Sequence, residues 1–286
     1  MNTVKVAAAQ IKKFGLESRK EQADLLAVEE PLQIRLTFGA GDLRETRQLT
    51  LTMRTPGEDI ELAAGFAFAE QIITEREQIR TIRFCNDPRD AHQDTESIHS
   101  VNIELEPDTE VSLSRFSRNS YTSSSCGVCG KNDWNSLQLS EIAPKTDLRR
   151  LTDAKTMYDL PDRLKRQQAV FARTGGLHAA GLFRPNGELV LLREDIGRHN
   201  ALDKLIGAAL YKGLLPLENY IILVSGRLGY ELVEKAIVAG AGVLAAIGAP
   251  SSIAVETAAE YGLTLIGFLR SGSFNCYSGS SRIAGT

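Results

Sequence analysis

Two cysteines stand close together in the stretch "TSSSCGVCGK" at residues 122–131. Cys126 and Cys129 lie among serines and glycines, whereas buried structural thiols usually lie among apolar residues. A pair with this spacing can bind zinc, form a redox site or present a reactive thiolate. Glycines let a large partner approach, and Arg115 and Arg118 nearby favour the thiolate anion. We interpret the pair as exposed and reactive.

A zinc site or a redox site would need features that the rest of the chain does not supply. Structural zinc takes four ligands, commonly including a second close pair. The other cysteines, Cys85 and Cys276, stand alone and far apart. A thioredoxin-like motif caps a helix directly after a strand, whereas this one follows a long serine-rich stretch. The exposed thiolate is therefore favoured, and zinc binding, redox use and two inert thiols stay open as alternatives.

Three turns rich in hydrogen-bond donors follow further along the chain. In "LREDIGRHNALDK" (192–204), Arg198 and His199 stand where a helix begins, and the free N–H groups of a helix start favour a phosphate. The turns "SGR" (225–227) and "LRSGS" (269–273) follow apolar strands, and ligands of open α/β sheets bind beyond such strand ends. Small residues there let the backbone approach phosphate. The predicted site for a nucleotide-like anion comprises Arg198, His199, Ser225, Gly226, Arg227 and Arg270.

Residues 192–204 also have a simpler explanation. Asp195 could cap the helix, while Asp203 and the other charged side chains form its solvated face. This explanation accounts less well for Arg198 and His199, which place two donor-rich side chains at the helix start. We therefore favour a functional cluster.

The stretch "GLHAAG" (176–181) invites comparison with zinc nucleobase deaminases, which carry H-x-E followed by P-C-x-x-C. Here Ala180 replaces the catalytic glutamate, and the C-x-x-C comes before the histidine. Deaminase chemistry is therefore excluded. His178 is either a histidine satisfied within the core or a further candidate for the anion site.

Composition narrows the class of protein. The chain has 286 residues, 43% of them hydrophobic, and a formal net charge of −3, so no overall basic field would attract nucleic acid or anionic lipid. Four cysteines are too few for a disulfide-built scaffold. The first residues lack a signal-peptide core, and the longest apolar runs fall short of the roughly 20 residues of a membrane span. We expect a cytoplasmic protein without a membrane or nucleic-acid partner.

The first half of the chain has the pattern of a strand-rich α+β unit. Residues 1–25 are polar and mixed, and we expect a loose tail. Thr55 is a predicted helix cap, with Pro56 at the first helical position and Glu58 completing a capping box. Residues 106–130 are predicted to form a long polar loop. Alternating apolar and polar residues predict strands at 32–38, 48–54, 79–84 and 100–105.

The second half alternates strands and helices, which indicates a parallel or mixed sheet covered on both faces. Its first helix is predicted near 161–172, started by Pro161 and stopped by Gly175 and Gly176. Two strands then flank a Pro-Asn-Gly turn. Predicted strands lie at 177–183, 188–193, 220–224, 242–248 and 263–268, and predicted helices at 199–210, 228–240 and 252–262.

The combination of motifs resembles the FdhD family, the formate dehydrogenase accessory sulfurtransferases. "CGVCG", "GLHAAGLF", "EDIGRHNALDK", "LVSGRLGYELVEKA" and "LTLIGF" occur in the family's order, and "EEPLQIRL" and "PGEDIELAAGFAFAEQII" resemble its N-terminal half. The resemblance runs from about residue 28 to 270. It implies a second domain similar in fold to cytidine deaminases, a three-layer αβα arrangement without their zinc site.

The resemblance also implies a function. A cysteine desulfurase would place a sulfane sulfur on Cys126 as a persulfide, with Cys129 assisting. The carrier would transfer this sulfur to a molybdenum cofactor, Mo-bis(molybdopterin guanine dinucleotide), destined for a molybdenum-dependent formate dehydrogenase. A homodimer is also implied. The family's cofactor-binding stretch corresponds here to Phe268, Leu269, Arg270, Ser271, Gly272 and Ser273.

That last stretch departs from the family's usual pattern of a lysine, a proline and a basic residue. Arg270 and Gly272 keep part of this character, whereas Ser271 and Ser273 do not. Two alternative functions are a zinc-binding regulatory protein that uses the C-x-x-C and a catalytically dead, deaminase-like nucleotide binder. The expected organisation is a loose tail (1–25), an N-terminal α+β subdomain (26–110), a mobile loop carrying the C-x-x-C (111–145) and a cytidine-deaminase-like domain (146–286).

Overall fold

The computed structural model describes residues 4–16, 19–85, 99–111, 139, 142 and 149–285. Cys126 and Cys129 lie outside these residues, as does all but residues 111, 139 and 142 of the predicted loop 111–145. The strands are β1 (Val6–Phe14), β2 (Arg19–Ala27), β3 (Glu30–Phe38), β4 (Glu45–Arg54), β5 (Ile79–Cys85), β6 (His99–Leu105), β7 (Thr152–Asp153), β8 (His178–Phe183), β9 (Leu189–Asp195), β10 (Ile221–Val224), β11 (Val243–Ala246), β12 (Thr264–Arg270), β13 (Ser273–Ser278) and β14 (Ile283–Ala284). The helices are α1 (Asp59–Ala69), α2 (Ala154–Gln167), α3 (Phe171–Thr174), α4 (Arg198–Tyr211), α5 (Tyr230–Val238) and α6 (Ser252–Glu260).

The N-terminal unit is a four-stranded sheet in the order β4-β3-β6-β5, covered on one face by α1. Strand β3 alternates as its sequence predicts, with Leu32, Ile34 and Leu36 buried and the residues between them partly exposed. Strands β3 and β6 run parallel, and the other pairs are antiparallel. The four predicted strands are therefore confirmed.

Two predictions for this unit are wrong. Most of the expected loose tail 1–25 is a β-hairpin, in which β1 and β2 pair from Val6 opposite Ala27 to Phe14 opposite Arg19. Helix α1 starts at Asp59, after a left-handed Glu58 whose side chain makes no capping bond. Thr55 does not cap it, because the hydroxyl of Thr55 accepts a hydrogen bond from the amide of Ile196, 3.2 Å away.

The C-terminal unit is a six-stranded sheet in the order β13-β12-β11-β10-β8-β9. Strands β10, β11 and β12 are parallel, and β8, β9 and β13 are antiparallel to their neighbours. Side chains of β10 alternate between two cores: Ile221 and Leu223 face α2, and Ile222 and Val224 face the layer of α4, α5 and α6. The predicted three-layer αβα arrangement is confirmed.

Helix α2 differs from its prediction at both ends. It starts seven residues before Pro161, at Ala154, where the Asp153 side chain accepts a hydrogen bond from the Thr156 amide at 2.7 Å. Pro161 therefore lies inside the helix. It ends at Gln167, so Gly175 and Gly176 do not stop it; the left-handed Gly175 ends the separate short helix α3 instead. Strand β13, which the sequence did not predict, extends the sheet beyond β12.

Helices α1 and α4 join the two units at very short range. A Cβ atom added to Gly65 would lie 1.8 Å from the carbonyl oxygen of Asp203, and one added to Gly207 would lie 1.9 Å from that of Glu61. No larger residue fits at either position without moving the backbone. Among the residues described, no helix has the length and apolar character needed to cross a membrane.

Candidate functional site

The predicted anion-binding turns converge at one edge of the six-stranded sheet. The ends of the parallel strands β10, β11 and β12 lie side by side there. Because β8 runs antiparallel to both β10 and β9, the start of β8 and the end of β9 lie at the same edge. We call this edge, with the turns that follow it, the carboxyl edge. It comprises His178, Arg198 and residues 225–227, 247–248 and 268–273.

Ser225 links the end of β10 to the start of β8. Its amide donates to the carbonyl of Ala179 and its Oγ accepts from the Ala179 amide, both at 2.9 Å. The same Oγ lies 3.3 Å from Nδ1 of His178. A Cβ atom added to Gly226 would lie 3.5 Å from the His178 ring and 3.4 Å from Cδ of Arg198. Three elements separate in sequence therefore meet around one glycine.

Backbone hydrogen bonds connect the turn after β10 with the turn after β11. Gly248 donates from its amide to the carbonyl of Gly226 at 3.1 Å, and its own carbonyl accepts from the amide of Phe268 at 3.0 Å. A Cβ atom added to Gly248 would lie 2.7 Å from the Gly226 oxygen, so the close approach requires glycine. Arg227 is exposed beside this contact.

The segment 268–273 closes the other end of the carboxyl edge. Phe268 is 44% exposed and has a positive φ of 53°, which is rare for a bulky residue. The exposed Arg270 donates from Nη1 to the carbonyls of Ile247 and Leu269, at 2.6 and 2.9 Å. Leu269 itself is fully buried, so its side chain packs in the core.

The last three residues of this segment turn the chain into β13. Ser271 contacts Asp162 of α2, with 3.1 Å between the hydroxyl and carboxylate oxygens. Gly272 has a φ of 97°, which glycine adopts without strain, and Ser273 begins β13. Ser271 thus anchors the turn to α2, while the charge at this end of the edge comes from Arg270.

Arg198, at the start of α4, is a half-buried cation without a counterion among the described residues. Its Nε is buried and has no hydrogen-bond partner there. His199 instead faces α5, with its Nε2 3.0 Å from a carboxylate oxygen of Glu231. The structure therefore brings Arg198 together with His178, Ser225 and Gly226, while His199 is engaged between two helices.

The surroundings of His178 favour its neutral form. Partial burial lowers its pKa below the ordinary value of 6.5, and the neighbouring Arg198 and His199 lower it further. Asp195 opposes these effects only in part. A neutral imidazole at the carboxyl edge would act as a hydrogen-bonding group.

The charged residues before and within α4 do not form a solvated face, so this sequence-based explanation is wrong. Asp195 is completely buried and pairs with the equally buried Lys204 at 2.7 Å. Asp203 is buried too, 2.8 Å from the ammonium group of Lys235 on α5. The helix cap is Gly197, not Asp195.

Asp195 instead ties the carboxyl edge to the N-terminal unit. One carboxylate oxygen accepts from the amide of Thr55 at 3.1 Å, and the other accepts from the amide of Gly197 at 2.8 Å. Lys204 donates to the carbonyl of Thr55 at 2.9 Å, and Asn200 donates to that of Met53 at 2.8 Å. The start of α4, which carries Arg198, is thereby fixed against the end of β4. The spacing of charges along the chain carries no signal of this network, because its two halves lie about 140 residues apart.

Metal ligands are not assembled in the described part of the chain. No group of three or more His, Cys, Asp or Glu side chains there is placed to bind a metal ion. Ala180, which occupies the place of a deaminase's glutamate, is a fully buried core residue. The other two cysteines are free thiols, with Cys85 half-buried and Cys276 exposed.

Comparison with known proteins decides the family. A family model described as the FdhD/NarQ family matches residues 27–284, nearly the whole chain. The chain belongs to the FdhD/NarQ family. The resemblance inferred from the sequence motifs is therefore confirmed, and the matched region spans both units of the structure.

Curated FdhD relatives are similar to this chain along most of their length. The "Sulfur carrier protein FdhD" of Streptomyces coelicolor is 46% identical over 263 residues, covering 91% of this chain and 89% of the relative. The protein of the same name from Mycobacterium tuberculosis is 45% identical, with 91% and 92% covered. That of Saccharolobus solfataricus is 39% identical, with 96% and 98% covered.

A solved structure shares the fold of this FdhD/NarQ family member. The crystal structure of a protein described as a formate dehydrogenase accessory protein, from Desulfotalea psychrophila, superimposes with a TM-score of 0.74 at 23% identity. The match covers 98% of this chain and all of the other. At this identity the similarity establishes the arrangement of elements.

Proposed function

We propose that this protein is a sulfur carrier that serves the maturation of a molybdenum-dependent formate dehydrogenase. The observation that carries the proposal is the carboxyl edge, where Arg198 lacks a counterion among the described residues and Arg227 and Arg270 are exposed. Such an edge suits a large polyanion, since ligands of α/β sheets bind beyond strand ends and backbone turns contact phosphate. The name of the relatives supports the sulfur-carrier role.

The sulfur is carried on Cys126. Its thiolate attacks the outer sulfur of a cysteine desulfurase persulfide, so that one sulfur–sulfur bond breaks as another forms and the desulfurase leaves as a thiolate. The transfer requires no oxidant, because the sulfane sulfur moves between two thiols. Delivery to the client breaks the new sulfur–sulfur bond, and Cys126 leaves as its thiolate. The sulfane sulfur would become metal-bound sulfide by taking two electrons from a reduced molybdenum centre of the client. Cys129 assists, within the same C-G-x-C-G motif.

The client is Mo-bis(molybdopterin guanine dinucleotide), bound at the carboxyl edge. Its diphosphate groups carry negative charge, which Arg198, Arg227 and Arg270 would neutralise. The glycines at 226 and 248 would let the ligand approach the backbone, as phosphate-binding turns require. His178 and the segment 268–273 complete the contact surface. We place this exchange in the cytoplasm and propose that the carrier works as a homodimer.

Guanosine diphosphate, a fragment of the client, tests the nucleotide site. A ligand that binds only the folded state at 100 times its Kd adds about 2.7 kcal/mol to the free energy of unfolding. We expect a clear rise in Tm with guanosine diphosphate and a smaller one with equimolar inorganic phosphate. Equal Tm values with and without millimolar guanosine diphosphate would contradict the nucleotide site.

Formate dehydrogenase activity in cells that lack their own carrier tests the sulfur role. We expect Cys126→Ala to abolish maturation, because the substitution removes the thiol that accepts the sulfur. Cys276→Ala is the matched control, since Cys276 is an exposed thiol on β13, and it should support normal maturation. Full maturation by the Cys126 variant would overturn the proposal. Stoichiometric zinc bound through Cys126 and Cys129 would favour the regulatory alternative instead.

A further inference from the structure

A hydrogen bond between Ser225 and His178 couples the serine hydroxyl to the tautomer of the imidazole. The amide of Ala179 donates to Oγ of Ser225 at 2.9 Å, which occupies one of the two lone pairs of the hydroxyl. Oγ also lies 3.3 Å from Nδ1 of His178, and the tautomer of the ring decides which of these two atoms is the donor. With the serine proton directed to Nδ1, the neutral imidazole carries its own proton on Nε2.

We propose that His178 is a ligand-binding residue that donates its Nε2–H, as a neutral imidazole, to an acceptor atom of the nucleotide, and that Ser225 selects this tautomer. The proposal rests on the nucleotide site of the proposed function. Nε2 has no hydrogen-bond partner among the described residues, although the ring is half-buried at the carboxyl edge. A donor in this position is free to meet a guanine or phosphate oxygen.

The groups around His178 favour its neutral form. Arg198 of α4 lies close enough that its Cδ and the ring both contact the space beside Gly226. Arg198 and His199 lower the pKa of His178, whereas Asp195 at the end of β9, which pairs with Lys204, raises it. Arg198 would therefore supply the positive charge for an anion, and His178 a directed hydrogen bond.

Gly226 leaves a small gap between these two side chains. The nearest heavy atoms to a Cβ atom placed on Gly226 are Cδ of Arg198 at 3.4 Å and two atoms of the His178 ring at 3.5 Å, which are ordinary van der Waals contacts. The gap therefore has the size of about one methyl group. A single ligand atom in this gap would contact both side chains.

Two measurements test the tautomer and the contact separately. A two-bond ¹H–¹⁵N spectrum of the free protein, with the resonance identified through His178→Gln, distinguishes a proton on Nε2 from one on Nδ1. We expect the Nε2–H tautomer at pH 7 and a mixture of tautomers in Ser225→Ala. A proton on Nδ1, or a doubly protonated ring in the complex with guanosine diphosphate, would overturn the proposal.

Affinity for guanosine diphosphate then shows whether the donor is used. A neutral hydrogen bond contributes about a fivefold change in Kd, so His178→Ala should bind about fivefold more weakly. His178→Gln, which keeps an N–H donor near the same position, should bind within about twofold of the wild type. Wild-type affinity should also stay nearly constant between pH 7 and 8.5, because no imidazolium is lost over this range.

The outcomes separate this proposal from the one on which it rests. If wild-type protein binds guanosine diphosphate and His178→Ala binds it equally well, the role of His178 is wrong and the nucleotide site stands. If affinity falls steeply above pH 7 in the wild type and not in His178→Gln, the histidine acts as a cation and the proposal is wrong. If the wild type binds no guanosine diphosphate, the nucleotide site and the role of His178 fail together.

Discussion

Replacing Lys204 with methionine should destabilise the protein strongly, because it leaves a buried charge unpaired. The ammonium group lies 2.7 Å from a carboxylate oxygen of Asp195, and neither side chain is exposed to solvent. Removing one partner of a buried ion pair costs about 3–5 kcal/mol. Asp195 would keep hydrogen bonds from the Thr55 amide, the Gly197 amide and Asn200, which places the cost near the lower end, at about 3 kcal/mol.

Thermal unfolding followed by calorimetry measures this effect. A loss of about 3 kcal/mol should lower Tm by about 6–12 °C in a domain of this size. Arg184→Met is the matched control, because Arg184 forms an exposed ion pair with Glu188, with side chains 52% and 61% exposed, and such pairs contribute under about 1 kcal/mol. The double variant Lys204→Met with Asp195→Asn should recover part of the loss, since the unpaired charge is gone. A decrease in Tm of less than about 2 °C for Lys204→Met would refute the reasoning.

Three further predictions concern the helix contact, the carboxyl edge and pH. Gly207→Ala should prevent normal folding, because its Cβ would lie 1.9 Å from the carbonyl oxygen of Glu61. Gly285→Ala is the control: this residue is exposed, has no heavy atom within 4 Å of an added Cβ, and should leave Tm unchanged in the same melting experiment. Gly226→Ala should keep the wild-type Tm, since the contacts of the added Cβ, at 3.4–3.5 Å, are ordinary. The same variant should bind guanosine diphosphate more weakly in calorimetric titration, because the Cβ fills the gap beside Arg198 and His178. Unchanged affinity would contradict a ligand contact in that gap. The pKa of His178 is lowered in the folded protein, so as pH falls below 6.5 the unfolded chain binds a proton before the folded one does. The free energy of unfolding should therefore decrease from pH 7 towards lower pH, and it should decrease less in His178→Gln. Equal slopes of unfolding free energy against pH in the two proteins would be inconsistent with a lowered pKa.

Periodicity predicts the elements of this fold where each has one clearly buried face. Strand β3 alternates between buried and partly exposed residues, and β10 is short, apolar and followed by a glycine-containing turn, so both are visible in the sequence. The hairpin of β1 and β2 is not visible, because most residues on both of its faces are exposed and leave no alternation. Local rules also failed at α1, where Thr55 bonds across the interface between units instead of capping the helix.

The part of the candidate site that lies in turns directly after strands could be predicted from the sequence. Donor-rich turns after β10 and β12 must meet at one edge of a parallel sheet, and the structure brings Ser225 and the segment 268–273 to that edge. The sequence could not show that His199 contacts Glu231 of α5, since helix packing decides this. Nor could it show that Asp195 is buried against Thr55 of the other unit. Contacts between distant segments depend on tertiary packing, which no local pattern encodes.

The sulfur on Cys126 is the central claim, and mass spectrometry of the protein tests it most directly. The protein is incubated with a cysteine desulfurase and cysteine, digested without reductant, and compared with a sample incubated without the desulfurase. We predict a gain of one sulfur atom on the peptide that contains Cys126, with no gain on the peptide of Cys276 and no gain at that position in Cys126→Ala. A Cys126 peptide without added sulfur, or an equal gain on Cys276, would contradict the account.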